Sequence, residues 1–165
     1  VLANPNAPTG IAISLAELAD LASSDPDRLI IVDEAYVDFG ADSAVSLLDQ
    51  HDNILVVQTC SKSRALAGMR VGFAFGSPAL IEGLERVRDS FNSYTVDRLA
   101  QTAAVAAYSA ADWFETTRAR IIATREWTSS ALALPYCHRV PISFLPVTRR
   151  RPASTCTRRS GKLAF

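Results

Sequence analysis

The sequence of 165 residues predicts an α/β layered domain with a mostly parallel sheet. Short apolar runs alternate along the chain with segments of helical periodicity, which is typical of α/β proteins. These runs are hydrophobic on both faces, as strands buried within a parallel sheet are. The composition, with 48% hydrophobic and 21% charged residues, is that of an ordinary globular domain.

Three apolar runs are predicted as strands, and the start of the chain resembles the end of a fourth. The four segments are residues 1–3, 29–32, 54–57 and 71–75. Because the first segment begins mid-strand and only about three strands follow it, we expect an incomplete sheet.

Four segments are predicted as helices. Ser14 and Glu17 have the spacing of a capping box before a short helix. Ser77 followed by Pro78 is typical of the start of a second helix. An alanine-rich third helix is predicted over about 95–110 and a longer fourth helix over 112–134.

The charge distribution separates the end of the chain from the rest. Residues 1–135 carry 10 basic and 17 acidic side chains, whereas residues 136–165 carry 7 basic and no acidic ones. We therefore expect residues 136–165 to be a poorly ordered basic tail. No aromatic platform is interleaved with its arginine run, so the tail does not predict a nucleic-acid partner.

Two further patterns restrict the functional class. No apolar run approaches the ~18 residues of a membrane span, and the sequence begins without a visible signal peptide. We expect no membrane partner and a cytoplasmic location. The three cysteines, Cys60, Cys137 and Cys156, have neither metal-site spacing nor the pattern of a disulfide framework.

Polar residues follow three of the predicted strands. They are the run NPNAPTG at 4–10, the run DEAY at 33–36, and the run TCSK at 59–62, with Arg70 shortly after. Taken singly, each run is typical of a turn, a cap or a solvated surface. Because ligands bind at the carboxyl ends of strands in open α/β sheets, their combination and order favour a binding site.

The side chains in these runs suit pyridoxal phosphate held by a Schiff-base lysine. The cofactor needs an acid that keeps its pyridine nitrogen protonated, and Asp33 is suited to this. Its phosphate needs hydroxyls, backbone N–H groups and an arginine, which Thr59, Ser61 and Arg70 can supply. The phenol of Tyr36 is a candidate partner for the ring hydroxyl of the cofactor.

These motifs resemble a known family. The runs NPNAPTG, DEAYVDF and TCSKSRALAGMRVGF are similar to the fold-type I pyridoxal-phosphate aminotransferases of classes I and II. Within that family they most resemble the histidinol-phosphate aminotransferases, and the resemblance extends from residue 4 to about 134. It implies that Lys62 is the Schiff-base lysine and proton shuttle. It implies that Asp33 contacts the pyridine nitrogen and Tyr36 the ring hydroxyl, and that the phosphate is bound by Thr59, Ser61 and Arg70.

One position departs from the family pattern. The family usually places an asparagine immediately before Pro-Thr-Gly, where it bonds the ring hydroxyl, and this chain has Ala7 there. Asn6, one residue earlier, is our candidate for the role. We expect Glu34, Asp38 and Phe39 to be structural.

The resemblance implies a partial three-layer α/β/α large domain and the start of a small domain. Residues 1–111 are expected to form the C-terminal part of the cofactor-binding large domain, and residues 112–135 a long helix leading into the small domain. The implied substrates are a small-molecule amino donor, histidinol phosphate for the most similar relatives, and a 2-oxo acid acceptor, 2-oxoglutarate. A homodimer is expected from the family alone.

The resemblance also implies a longer protein. Family members carry a glycine-rich phosphate turn, a stacking aromatic residue and an intersubunit tyrosine in the part that precedes these motifs. We therefore expect the isolated chain to be inactive. Shifting the frame by one base in one possible encoding of residues 137–148 restores the family's Ser-x-Ala-Asn-Phe segment, which suggests a reading-frame shift near residue 135. A genuine divergent tail is the alternative.

Two other interpretations belong to different classes. Residues 29–35 suit a Walker B strand of an NTPase, since four apolar residues precede Asp-Glu. That interpretation requires a phosphate-binding loop of the form GxxxxGK[ST], which this sequence lacks. The other interpretation is a non-catalytic remnant, because sheet strands without their neighbours leave edges unpaired.

Overall fold

The computed structural model describes residues 1–131 as a four-stranded sheet with four α-helices. Several predictions lie outside the described residues. They are the basic tail 136–165 with its two cysteines, the proposed frame shift near residue 135, and the end of the predicted fourth helix, 132–134. Among the described residues, no helix has the length and apolar character needed to cross a membrane.

The sheet follows the order of the chain. Its strands are β1 (Leu2–Ala3), β2 (Ile30–Asp33), β3 (Ile54–Thr59) and β4 (Gly72–Gly76), and neighbours along the chain are neighbours in the sheet. β1 pairs with β2 and β2 with β3 in parallel, whereas β3 and β4 are antiparallel. This confirms the α/β class and the mostly parallel sheet.

The prediction of a parallel, doubly buried strand at 71–75 is wrong. β4 runs antiparallel to β3, with Gly72 opposite Thr59, and it is largely exposed. The connecting residues 60–71 return the chain to the edge of the sheet at which β3 ended. A parallel strand would need a crossover to the opposite edge. An apolar run does not specify strand direction, which is why the pattern misled.

The helices lie close to their predicted positions. They are α1 (Leu15–Ser24), α2 (Pro78–Phe91), α3 (Arg98–Ser109) and α4 (Ala111–Ala131). The capping box before α1 is present, with the Ser14 hydroxyl accepting from Glu17 N and the Glu17 carboxylate accepting from Ser14 N. Ser77 occupies the N-cap position of α2 and Pro78 begins the helix, as predicted, but the Ser77 side chain makes no capping hydrogen bond. The fixed φ of Pro78 favours the start of α2 at this position even without a side-chain cap.

Two apolar clusters hold these elements together. The first joins α1 and the 3₁₀ turn Ala44–Leu47 to one face of β2 and β3, through Leu18, Ala22, Ile30, Val32, Ala44, Leu47, Ile54 and Val56. The second joins α3 to the loop between β3 and β4, through Cys60, Val71, Ala100 and Ala104. The second cluster thus packs the loop that carries Lys62 against α3.

Candidate active site

The polar runs meet at one edge of the sheet. β1, β2 and β3 are parallel, and Asp33 pairs with both Ala3 and Val57, so the carboxyl ends of the three strands lie side by side. β4 runs the other way and begins at the same edge, opposite Thr59, which places Arg70 there. The topology therefore brings together the residues that the sequence predicts as a site.

Lys62 and Tyr36 face each other at this edge. The Lys62 Nζ atom lies 5.1 Å from the centroid of the Tyr36 ring, within the distance at which a cation is attracted to an aromatic face. The lysine side chain is exposed and the tyrosine is half-buried. An accessible amine and a phenol ring thus lie close together at this edge of the sheet.

Two adjacent carboxylates at the end of β2 have different environments. Asp33 is exposed, and its Oδ1 accepts from the backbone N–H of Ala35 at 3.0 Å. Glu34 is only 1% exposed. Its carboxylate accepts from Ser43 Oγ at 2.7 Å, Ala44 N at 2.6 Å and Gln58 Nε2 at 2.8 Å. Asp33 is accessible to a ligand, whereas Glu34 is committed to internal hydrogen bonds and is not available as the glutamate of a Walker B magnesium site.

The candidate phosphate residues differ in how far the chain already uses them. Thr59 Oγ1 donates to Val71 O at 3.4 Å and accepts from Ser61 N at 3.1 Å, so this hydroxyl is bonded within its own turn. Arg70 is exposed in a left-handed conformation (φ 54°), and one of its N–H groups donates to Ala67 O at 2.9 Å. The Thr59 hydroxyl is thus engaged within its own turn, whereas the Arg70 guanidinium is exposed.

Both asparagines of the run at 4–10 take part in the structure of their loop. Asn6 Nδ2 donates to Thr9 Oγ1 at 2.8 Å, and its backbone N–H donates to Ile11 O. Asn4 is fully buried, and its side chain bonds Ile13 N at 2.8 Å and Ile13 O at 3.1 Å. The role suggested for Asn6 stays a prediction. The sequence did not lead us to predict that Asn4 holds the loop by bonding the backbone of Ile13. An asparagine between a strand and a proline is a recognisable signal of such a loop.

The turn that carries Lys62 is anchored on its C-terminal side. Ser63 Oγ donates to Asp38 Oδ2. The Arg64 guanidinium lies between two rings, 4.3 Å from the centroid of Tyr108 and 3.4 Å from that of Phe114. Neither the bond of Ser63 nor the ring contacts of Arg64 could be predicted from the sequence, because their partners are distant along the chain. The expected structural role of Asp38 agrees with its bond to Ser63.

Cys60 lies directly before this turn and is fully buried. Burial raises the pKa of its thiol, an effect that the nearby Arg64 guanidinium and a hydrogen bond with Tyr108 partly offset. Burial also raises the pKa of the Tyr108 phenol. A buried, protonated thiol is an inert packing group rather than a nucleophile.

The chain is similar to known proteins along most of its length. The family model for aminotransferase class I and II matches residues 1–157. The chain is 61% identical over 125 residues to a histidinol-phosphate aminotransferase of Acetobacter pasteurianus, covering 76% of this chain and 35% of the relative. It is 62% identical over 133 residues to histidinol-phosphate aminotransferase 1 of Bradyrhizobium diazoefficiens, covering 81% and 38%. The chain thus spans well under half the length of these relatives.

The fold is also similar to a solved structure. The crystal structure of histidinol-phosphate aminotransferase from Sinorhizobium meliloti in complex with pyridoxal-5'-phosphate superimposes with a TM-score of 0.71 and 26% identity. The similarity covers 80% of this chain and 36% of that one. None of these four similarities supports the NTPase interpretation.

Proposed function

The chain belongs to the class I and II aminotransferase family, and on this premise we propose that it carries part of a pyridoxal-phosphate site for amino-group transfer. The proposed reaction moves an amino group between histidinol phosphate and 2-oxoglutarate, as a step of histidine biosynthesis. The identities of 61% and 62% to histidinol-phosphate aminotransferases support this choice of substrate.

The observation that carries the proposal is the approach of Lys62 to Tyr36. The two residues come from different strand ends, yet the lysine amine lies over the tyrosine ring at 5.1 Å. Asp33 and Arg70 are exposed at the same sheet edge. An accessible amine, a carboxylate and a guanidinium match the aldehyde, the pyridine nitrogen and the phosphate of pyridoxal phosphate.

Each of these side chains has a distinct proposed role. Lys62 would hold the cofactor through Nζ and would move a proton to or from the substrate carbon. Asp33 keeps a proton on the pyridine nitrogen, and Tyr36 donates to the ring hydroxyl. Arg70 and Ser61 bind the phosphate. When bound, the cofactor supplies an electron sink for the charge that develops at the substrate carbon.

Thr59 and Asn6 have supporting places in the proposal. Thr59 accepts from the backbone N–H of Ser61 and thereby shapes the turn that presents the Ser61 hydroxyl. Asn6 lies in the loop after β1 at the same edge, where the family pattern has an asparagine one residue later. We keep it as a candidate partner of the ring hydroxyl.

The domain boundaries, assembly and location are part of the same proposal. Residues 1–111 would belong to the large domain, and residues 112–135 would lead into the small domain. A homodimer and a cytoplasmic location follow from the family and from the proposed pathway. The frame shift near residue 135 is tested by sequencing the gene, and a DNA sequence with no slippage near that codon would refute it.

Covalent trapping of the cofactor tests the proposal. The purified chain is mixed with pyridoxal phosphate, reduced with borohydride and digested for peptide mass analysis. We expect a visible absorbance band that borohydride removes, and a cofactor adduct on the Lys62 peptide. Lys162→Ala is the matched control, since the sequence contains only these two lysines.

The outcomes separate the proposed function from its alternatives. A Lys62 adduct that is absent in Lys62→Ala and retained in Lys162→Ala supports the site. An adduct without any exchange of amino groups between substrates supports the non-catalytic remnant. A chain that folds and gives no adduct, or gives one equally in Lys62→Ala, contradicts the proposal.

A further inference from the structure

One side-chain hydrogen bond connects the turn that carries Lys62 to the segment that carries Tyr36. Ser63, directly after the lysine, is 7% exposed and donates its hydroxyl to Asp38 Oδ2. Asp38 follows Tyr36 by two residues, in the 3₁₀ turn Val37–Phe39. The bond therefore joins the residue next to Lys62 to a residue two positions after Tyr36.

Both ends of this bond are held by other parts of the protein. Arg64, the next residue of the lysine turn, is fixed between two aromatic rings and donates to Ala107 O at 3.2 Å. The backbone carbonyl of Asp38 accepts from Arg118 Nη1 at 3.3 Å. Because neither segment moves freely, the hydrogen bond joins two anchored pieces of chain and fixes their separation.

The lysine side chain itself has little to hold it. It is exposed, and its amine makes the contact with the Tyr36 ring described above. A free lysine side chain samples many rotamers, and restricting it costs conformational entropy. The position of its amine therefore depends on where the backbone of the turn is held.

We propose that Ser63 and Asp38 are positioning residues that set the distance between the Lys62 amine and the Tyr36 ring. The hydrogen bond acts through the two backbone segments and does not touch the cofactor. This inference rests on the proposed function, since the position of the Lys62 amine matters for catalysis only if that amine holds the cofactor.

Acylation of the cofactor-free chain tests the positioning directly. At fixed pH, an amine-acylating reagent modifies Lys62 and Lys162, and peptide mass analysis gives the ratio of the two. In Ser63→Ala and Asp38→Ala we expect this ratio to rise about two- to fivefold, the factor expected when an exposed cation–ring contact is lost. Ser46→Ala is the control, since it removes a hydroxyl that bonds Ser43 O at 3.0 Å, away from the lysine turn.

Conservative variants separate positioning from general destabilisation. Asp38→Asn keeps an acceptor oxygen at the same place, whereas Asp38→Glu keeps the charge and displaces it by one methylene. We expect the acylation ratio of Asp38→Asn to be close to that of the unmodified protein and that of Asp38→Glu to be raised. If the alanine variants fail to fold, the comparison of Asp38→Asn with Asp38→Glu tests the proposal. Equal acylation ratios in these two variants overturn it.

The cofactor provides a second, independent measurement. Titration of the visible band with pyridoxal phosphate should show binding weakened by about two- to fivefold in Ser63→Ala, because a lysine that is no longer held in position loses more side-chain entropy when it binds the cofactor. Binding by Asp38→Asn should be unchanged. A Ser63→Ala variant that matches the unmodified protein in both measurements overturns the inference while the proposed function stands. If the unmodified chain forms no Lys62 adduct, the proposed function fails, and the acylation ratio still tests the hydrogen bond.

Discussion

Replacing Glu34 by alanine should destabilise the fold, whereas replacing the neighbouring Asp33 should leave stability nearly intact and weaken cofactor binding. Asp33 is the last residue of β2 and Glu34 directly follows it, yet the two carboxylates lie in opposite environments. Glu34 is buried with three donors around it. Asp33 is exposed with one local hydrogen bond.

The size of the effect follows from the donors that would lose their acceptor. A hydrogen bond to a charged group contributes about 1.5–3 kcal/mol, and a buried N–H left unpaired costs about 1–3 kcal/mol. The N–H of Ala44 is buried, whereas Ser43 and Gln58 are half-buried and can be partly rehydrated. Since such contributions are not additive, we expect Glu34→Ala to lower the free energy of unfolding by about 3–5 kcal/mol.

Urea unfolding followed by far-ultraviolet circular dichroism measures this difference. Glu34→Gln, which keeps the shape and one acceptor oxygen, should fall between Glu34→Ala and the unmodified chain. Asp33→Ala should lose less than about 1 kcal/mol and form markedly less of the cofactor adduct. An unfolding midpoint of Glu34→Ala equal to that of the unmodified chain, or an equal loss in Asp33→Ala, would refute the reasoning.

Three further predictions concern Arg64 in the lysine turn, Gly72 in β4 and Cys60 in the second cluster. Arg64→Lys should lower the free energy of unfolding by about 1–2 kcal/mol in the same urea assay, because an ammonium cannot stack between two rings as a planar guanidinium does. An unchanged unfolding midpoint would contradict a stabilising contact between Arg64 and the rings of Tyr108 and Phe114. Gly72→Ala should cost about 1–3 kcal/mol, because a Cβ there would lie 3.0 Å from the carbonyl oxygen of Gln58. Burial raises the pKa of the Cys60 thiol, so the stability from its protonated form is present below the unfolded value of about 8.5 and is lost as pH rises through the folded value. Unfolding measured from pH 7 to 10 should show this fall, and Cys60→Ala should flatten it.

Much of the fold could be predicted because its signals are local. The apolar runs 29–32 and 54–57 became β2 and β3, and the capping box at Ser14 begins α1. These features depend on residues within a few positions of each other, where side-chain periodicity and backbone capping act directly. The polar runs at the strand ends could also be recognised in the sequence. We could expect them to lie close together, because parallel strands place their carboxyl ends at one edge of the sheet.

The sequence by itself determined the elements, the family resemblance and the set of candidate site residues. The tertiary structure decided the antiparallel direction of β4, the burial of Glu34 beside an exposed Asp33, and the bond from Ser63 to Asp38. These features share one physical cause. Each depends on which distant segments pack together and in what register, and a chain-local pattern of hydrophobic and polar residues carries no such information.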